Sequence, residues 1–160
     1  MEEVSQLEES TELARKGARL GAQILDGILS LVIMLPIAYL LGIFAYWSNE
    51  QQPPYLLTLI SGVISIAIFI AINWKLLTQN AQTFGKFVLN LKIVNIDGSK
   101  PSIQQLIFKR FSIYWGLNYV PVVGDLINMV NILFIFRKDR RCLHDHVAGT
   151  KVINLSLIHI

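Results

Sequence analysis

Three long apolar segments, residues 20–47, 55–74 and 111–136, contain no lysine or arginine and only two acidic residues, Asp26 and Asp125. A bilayer core takes about 20 apolar residues of helix to cross, and each segment supplies at least that many. The pattern predicts an all-α polytopic membrane protein, a small helical bundle whose partner is the lipid bilayer. Composition agrees, because hydrophobic residues make up 53% of the chain and charged ones 16%, against about 25% charged in a soluble domain. At 160 residues there is room for one compact membrane domain, assigned to residues 15–160 behind an acidic tail at 1–14. A single cysteine, Cys142, rules out an internal disulfide.

Charge placement gives an expected topology. The first twelve residues carry five glutamates and no basic residue, the opposite of a cleavable signal peptide. Arg15, Lys16 and Arg19 then anchor the first segment on the cytoplasmic side under the positive-inside rule. Residues 48–54 carry no lysine or arginine and include Pro53 and Pro54, so this loop is expected outside. Pro36 is expected to kink the first segment. The second segment returns to a cationic stretch with Lys75, Lys86, Lys92, Lys100, Lys109 and Arg110. The sequence pI of 9.1 follows from these flanking residues. It points to an anionic leaflet rather than to nucleic acid. The expected location is the cell membrane, of the bacterial inner-membrane kind, with the N-terminus cytoplasmic.

Two short stretches read as strands. Residues 89–96 alternate at period two and end on Asp97-Gly98, a turn dipeptide. Residues 150–155 have a similar β-rich composition, and an isolated strand cannot leave its backbone donors unpaired. Pairing of the two predicts a short cytoplasmic two-stranded β element. It also constrains the third apolar segment. A single crossing would put Arg137, Lys138, Arg140, Arg141 and Lys151 outside and separate the strands. A break at residues 120–124, with Pro121 and Gly124, permits a hairpin that enters and returns on the cytoplasmic side. Twenty-six residues are short for two full crossings, so the helix is expected to start near Ser102, with Lys109 and Arg110 snorkelling toward headgroups. A single long third span is the alternative.

Three phrases carry a family resemblance. They are Arg19-Leu20-Gly21-Ala22-Gln23-Ile24-Leu25-Asp26, then Gln82-Thr83-Phe84-Gly85-Lys86 followed by Leu91-Lys92-Ile93-Val94, and last Arg140-Arg141-Cys142-Leu143-His144-Asp145-His146-Val147-Ala148-Gly149-Thr150-Lys151-Val152. In this order they resemble the RDD family of membrane proteins. That family is named for an arginine and two aspartates, and the matching positions are Arg19, Asp26 and Asp145. The resemblance implies transport of ions or small ligands, with cation/proton exchange suggested for some members.

Read from the residues themselves, Arg19 and Asp26 lie seven positions apart, within about 20° of one helix face. An intramembrane carboxylate either lines an aqueous path or ties helices together, and both readings stay open for Asp26. Asp125, Asn128 and Asn131 form a polar stripe just after the Pro121 to Gly124 break. Such a stripe suits an ion site in a broken helix or, equally, hydrogen bonds between helices. Asn73, at the base of the second segment, joins either arrangement. Cys142, His144 and His146 alternate, but without a second ligand arm no metal and no cofactor is expected. Asp145 is expected to organise its own turn or to pair with Arg19 or Arg110. No HExxH helix, GxSxG elbow or phosphate-binding glycine loop occurs, so the chain is not expected to be an enzyme. Two classes remain: a transporter of a monovalent cation or proton, and a non-transporting membrane scaffold. A thin bundle favours a homo-oligomer under either.

Overall fold

The computed structural model describes residues 13–116, 126, 130, 133–136 and 141–155. Two long helices dominate it. Helix α1 spans Lys16–Leu40 and α3 spans Tyr55–Asn80, with the short α2 (Ile43–Ser48) between them. At 1.5 Å per residue each long helix reaches about 38 Å, more than a bilayer's hydrocarbon thickness of about 30 Å. Only 17% of the most apolar window of each is buried. The core helix of a soluble protein buries far more, so these apolar faces point outward, with Val32 63% and Val63 65% exposed.

The first apolar segment is therefore not one helix. Helix α1 runs on through Pro36 and stops at Leu40, and the chain turns at Leu41-Gly42 before α2. Gly42 takes a φ of 70°, a left-handed conformation that glycine adopts without a Cβ penalty. The second segment is longer than its apolar run, since α3 continues six residues past Trp74 to Asn80. Just before α1, Leu13 bridges Ile153 and Ala14 is fully buried.

Beyond α3 the chain folds tightly. Helix α4 (Phe84–Val88) leads into β1 (Leu91–Asn95), and β1 pairs antiparallel with β2 (Thr150–Asn154), Leu91 opposite Asn154 and Asn95 opposite Thr150. The backbone N–H of Ala14 donates to the Val152 carbonyl at 3.0 Å, so β2 is flanked by β1 and by the entry to α1. The same alternation that marks the strands buries Leu91, Ile93 and Val152 against Ala22, Leu77, Leu106 and Phe111. A π-helical stretch (Gln105–Phe111) and α5 (Ser112–Gly116) follow, and after the undescribed residues come α6 (Leu143–Ala148) and β2.

Of the third apolar segment, the described parts are residues 111–116, 126, 130 and 133–136. Its break at 120–124 lies outside the described residues. Its ends do not: Phe111 lines a cavity with Asp26 in α1, and Phe136 sits under the Lys16 ammonium at 5.6 Å from the ring centre. Both ends thus lie beside the early turns of α1.

Candidate functional site

Two ion-paired centres sit where α1 meets the compact half of the molecule. The first is built around Asp145. Cys142 caps α6, and Asp145 reaches back from the third helical position to accept the Cys142 backbone N–H at 3.1 Å, in the manner of a capping box. That geometry turns the carboxylate inward, where it is fully buried. Arg19 from α1 binds Oδ2 and Arg110 from the π-helical stretch binds Oδ1. The wider π turn places Leu106, Arg110 and Phe111 on one buried face. Arg110 is only 2% exposed, so it does not snorkel to a headgroup, whereas Lys109 beside it is exposed.

Side chains around this triad complete it. Arg110 Nη1 donates to Thr150 Oγ1 at 2.7 Å, and Arg141 donates to the carbonyls of Thr150 at 3.0 Å and Asp145 at 3.1 Å. His144 Nε2 lies 3.3 Å from Arg110 Nη2. A guanidinium has donors only, so His144 accepts there and its proton is on Nδ1. Its 3.7 Å approach to Asp145 is consequently not an ion pair. Burial, with Arg110 beside it, lowers the His144 pKa to about 3. For Asp145, burial alone would raise the pKa, but Arg110 and Arg19 outweigh it and hold the carboxyl below its ordinary value.

Cys142 Sγ, a His144 ring nitrogen and an Asp145 oxygen all lie within 4.8 Å of one another, close enough to ligate a metal ion. The surroundings oppose that. Two buried guanidiniums already hold the carboxylate, and burial pushes the thiol pKa up, away from the thiolate that binds metals. His144 and His146 lie on α6 rather than on an extended strand, and of the two only His144 joins Cys142 and Asp145 in this cluster.

The second centre is Asp26. Its Oδ1 accepts the Gly85 backbone N–H at 2.8 Å, and its Oδ2 accepts the Thr83 hydroxyl at 2.5 Å and the Lys86 ammonium at 3.4 Å. A Cβ on Gly85 would come within 2.2 Å of the Ala22 carbonyl oxygen, so glycine is what lets α4 lie against α1 here. Lys86 is buried, and this desolvation lowers its pKa despite the nearby Asp26 charge. Asn73 is fully buried and joins α3 to α4, its amide donating to Phe69 O at 2.9 Å and accepting Phe84 N–H at 2.7 Å.

Arg19 and Asp26 share the inward face of α1, yet each has its own partner, Asp145 for one and Lys86 for the other. Asp125, Asn128 and Asn131 lie outside the described residues. Sequence reasoning had not singled out Lys86, Thr83 or Gly85 as site residues. The available signal was their place in one of the three family-like phrases.

The sequence model of the RDD family matches residues 13–149, which takes in both centres. The chain belongs to the RDD family. It is also similar to "Uncharacterized protein YckC" of Bacillus subtilis (strain 168), 32% identical over 135 residues, 84% of this chain and 80% of that one. No solved structure matches it significantly. In this RDD protein the arginine and second aspartate of the family resemblance form one ion pair across 126 residues of sequence, and the first aspartate forms the other centre.

Asp26 lines one of two adjoining cavities. One, of about 60 Å³, is lined by Asp26, Lys86, Thr83, Arg110, His144 and neighbouring residues including Gly27, Ser30 and Phe69. The other, of about 420 Å³, lies between α1 and α3 and shares Gly27, Ser30 and Phe69 with the first. Its remaining walls include Thr58, Ser61 and Ser65. Their hydroxyls, and that of Ser30, donate to carbonyls of their own helix or its cap, Ser30 to Asp26 O at 2.9 Å and Ser65 to Ser61 O at 2.7 Å. With the protons so committed, the groove is offered oxygen lone pairs.

Proposed function

We propose that this RDD protein is a multi-pass protein of the cell membrane that exchanges a monovalent cation for a proton, using Asp26 and Lys86 as the exchange centre. The observation that carries the reading is the groove between α1 and α3, because its hydroxyl-lined wall runs from Thr58 to Ser30 and meets the Asp26 cavity there. Acceptor oxygens in an apolar groove suit a cation, as carbonyls and hydroxyls do in transporter sites. The exchange follows from charge balance. A cation that takes the Asp26 carboxylate displaces the Lys86 ammonium, which then faces burial without its counter-charge. Desolvation already lowers the Lys86 pKa, so the displaced ammonium releases its proton to water. One cation enters as one proton leaves.

The membrane setting rests on the outward apolar faces of α1 and α3 and on the charge rule. Under that rule the start of α1 and the β1–β2 sheet are cytoplasmic and the 48–54 loop is external. The third apolar segment begins at Phe111 and ends at Phe136 near the same turns of α1, which supports a hairpin over a single crossing.

The scaffold reading has one observation in its favour. Asp26 also accepts the Thr83 hydroxyl and the Gly85 N–H, bonds that tie α4 to α1 without any ion. Reconstitution separates the two. Purified protein in liposomes with an internal pH dye is expected to move protons when sodium or potassium is added on one side. Asp26→Asn and Lys86→Gln are expected to abolish this, while Glu50→Gln, in the exposed loop, leaves it intact. A wild type that moves no protons under any monovalent cation gradient overturns the transport reading and leaves the scaffold.

A further inference from the structure

A third, smaller cavity of about 20 Å³ lies between the two ion-paired centres, and its walls are cationic. Arg19, Lys86 and Arg110 line it together with Gln23, His144, Leu91 and Val152, and among the described residues no carboxylate does. Arg19 is 4% exposed, and its Nη1 has no hydrogen-bond partner among the described residues, although its Nη2 holds Asp145. Buried guanidinium hydrogens that point at nothing are costly, and each such group calls for an explanation. The charges around it are out of balance as well. Among the described residues of the two ion-paired centres, three cations, Arg19, Lys86 and Arg110, stand against two carboxylates, Asp26 and Asp145, and His144 is neutral where it accepts from Arg110.

From the orphan Arg19 nitrogen and the all-cationic wall, we infer that this cavity binds a monatomic anion of the chloride class. The volume accommodates about one water-sized particle, which excludes phosphate, sulfate and carboxylate ligands. Its mixed wall suits a halide better than a water molecule. Arg19 and Gln23 bring N–H donors to the lining, Leu91 and Val152 bring apolar contact, and the anion neutralises the excess charge that water would leave. The site is separate from the cation groove, where the oxygens are acceptors, and it stands or falls independently of any transport. Its place between Arg19 of α1, Lys86 of α4 and Arg110 of the π-helical stretch makes the halide a clamp holding three elements together.

The test uses wild-type protein in detergent, with no ion gradient. At constant sodium and constant ionic strength, replacing gluconate by chloride is expected to raise Tm along a saturating curve. Bromide is expected to act alike and sulfate not at all. Arg19→Lys keeps a cation for Asp145 but removes Nη1, so it is expected to weaken the half-saturating chloride concentration at least tenfold. Should Arg19→Lys fail to fold, excess chloride NMR line broadening by the wild type, displaced by bromide, decides the matter. A Tm that follows ionic strength alone, a chloride effect retained in folded Arg19→Lys, or the absence of excess broadening each overturns the proposal. Loss of cation exchange with an intact halide response would remove the transport reading and leave this site standing.

Discussion

Replacing Asp145 with asparagine tests the central ion triad with almost no change of shape. The carboxylate receives Arg19 and the Cys142 N–H on Oδ2, and Arg110 and the Thr150 hydroxyl on Oδ1, the last at 3.4 Å. An amide has one acceptor oxygen, so in either orientation its NH₂ group meets a guanidinium head-on. At least one charge-assisted bond is lost, each worth about 1.5–3 kcal/mol, and two buried guanidiniums are left without their counter-charge. Breaking a buried pair in this way costs about 3–5 kcal/mol. For a chain of this size, that corresponds to a fall in Tm on the order of 10 °C. Thermal unfolding in detergent, followed by size-exclusion chromatography of the surviving folded fraction, reads it directly. A double variant, Arg19→Met with Asp145→Asn, removes one stranded cation and is expected to lose less than the sum of the two single losses. An Asp145→Asn protein that unfolds at the wild-type temperature, or strictly additive losses, would refute the reasoning that this carboxylate is held by two buried arginines.

Gly85→Ala is expected to lower stability by about 1–3 kcal/mol through overpacking, because the new Cβ would lie 2.2 Å from the Ala22 carbonyl oxygen; an unchanged Tm would show that α4 can retreat freely. His144 gives a pH dependence: its folded pKa of about 3 lies below its ordinary 6.5, so the unfolded state takes up the proton first as pH falls. Stability is therefore full above pH 6.5 and declines by about 1.4 kcal/mol per unit from there towards the folded value. His144→Gln, which keeps an acceptor for Arg110, is expected to flatten that slope in unfolding curves measured between pH 7 and 4, and an identical slope would remove His144 as the cause. For topology, in a Cys142→Ala background, an impermeant thiol reagent is expected to label Glu50→Cys from outside intact cells and Ser99→Cys only after permeabilisation. The reverse pattern would invert the orientation.

Sequence determined those properties that are sums over neighbouring residues. The two long helices follow from runs of apolar residues, since transfer into lipid depends on local composition, and the strands follow from period-two alternation that buries Leu91, Ile93 and Val152 on one face. That the two strands pair could be argued from the need to satisfy backbone donors, whereas their antiparallel register came from the structure. The shared inward face of Arg19 and Asp26 is a matter of helix periodicity. Sequence offered Arg19 or Arg110 as alternative partners for Asp145, and the tertiary structure brings both to it and gives Asp26 its partner Lys86. Asp145 and Arg19 are 126 positions apart and Asp26 and Lys86 are 60 apart, and no spacing rule reaches across such distances. Arg110 looked from sequence like a cation able to reach headgroups, and only the π-helical stretch and the fold of α6 turned it inward. Helix ends were similarly hidden. Hydropathy does not register that the chain turns at Gly42 where Pro36 does not end the helix, nor that α3 continues past Lys75 because its last turns pack Leu77 into the core. Burial of a charge is decided by what surrounds it in three dimensions, and a linear pattern carries that only where the surroundings are neighbours in the chain.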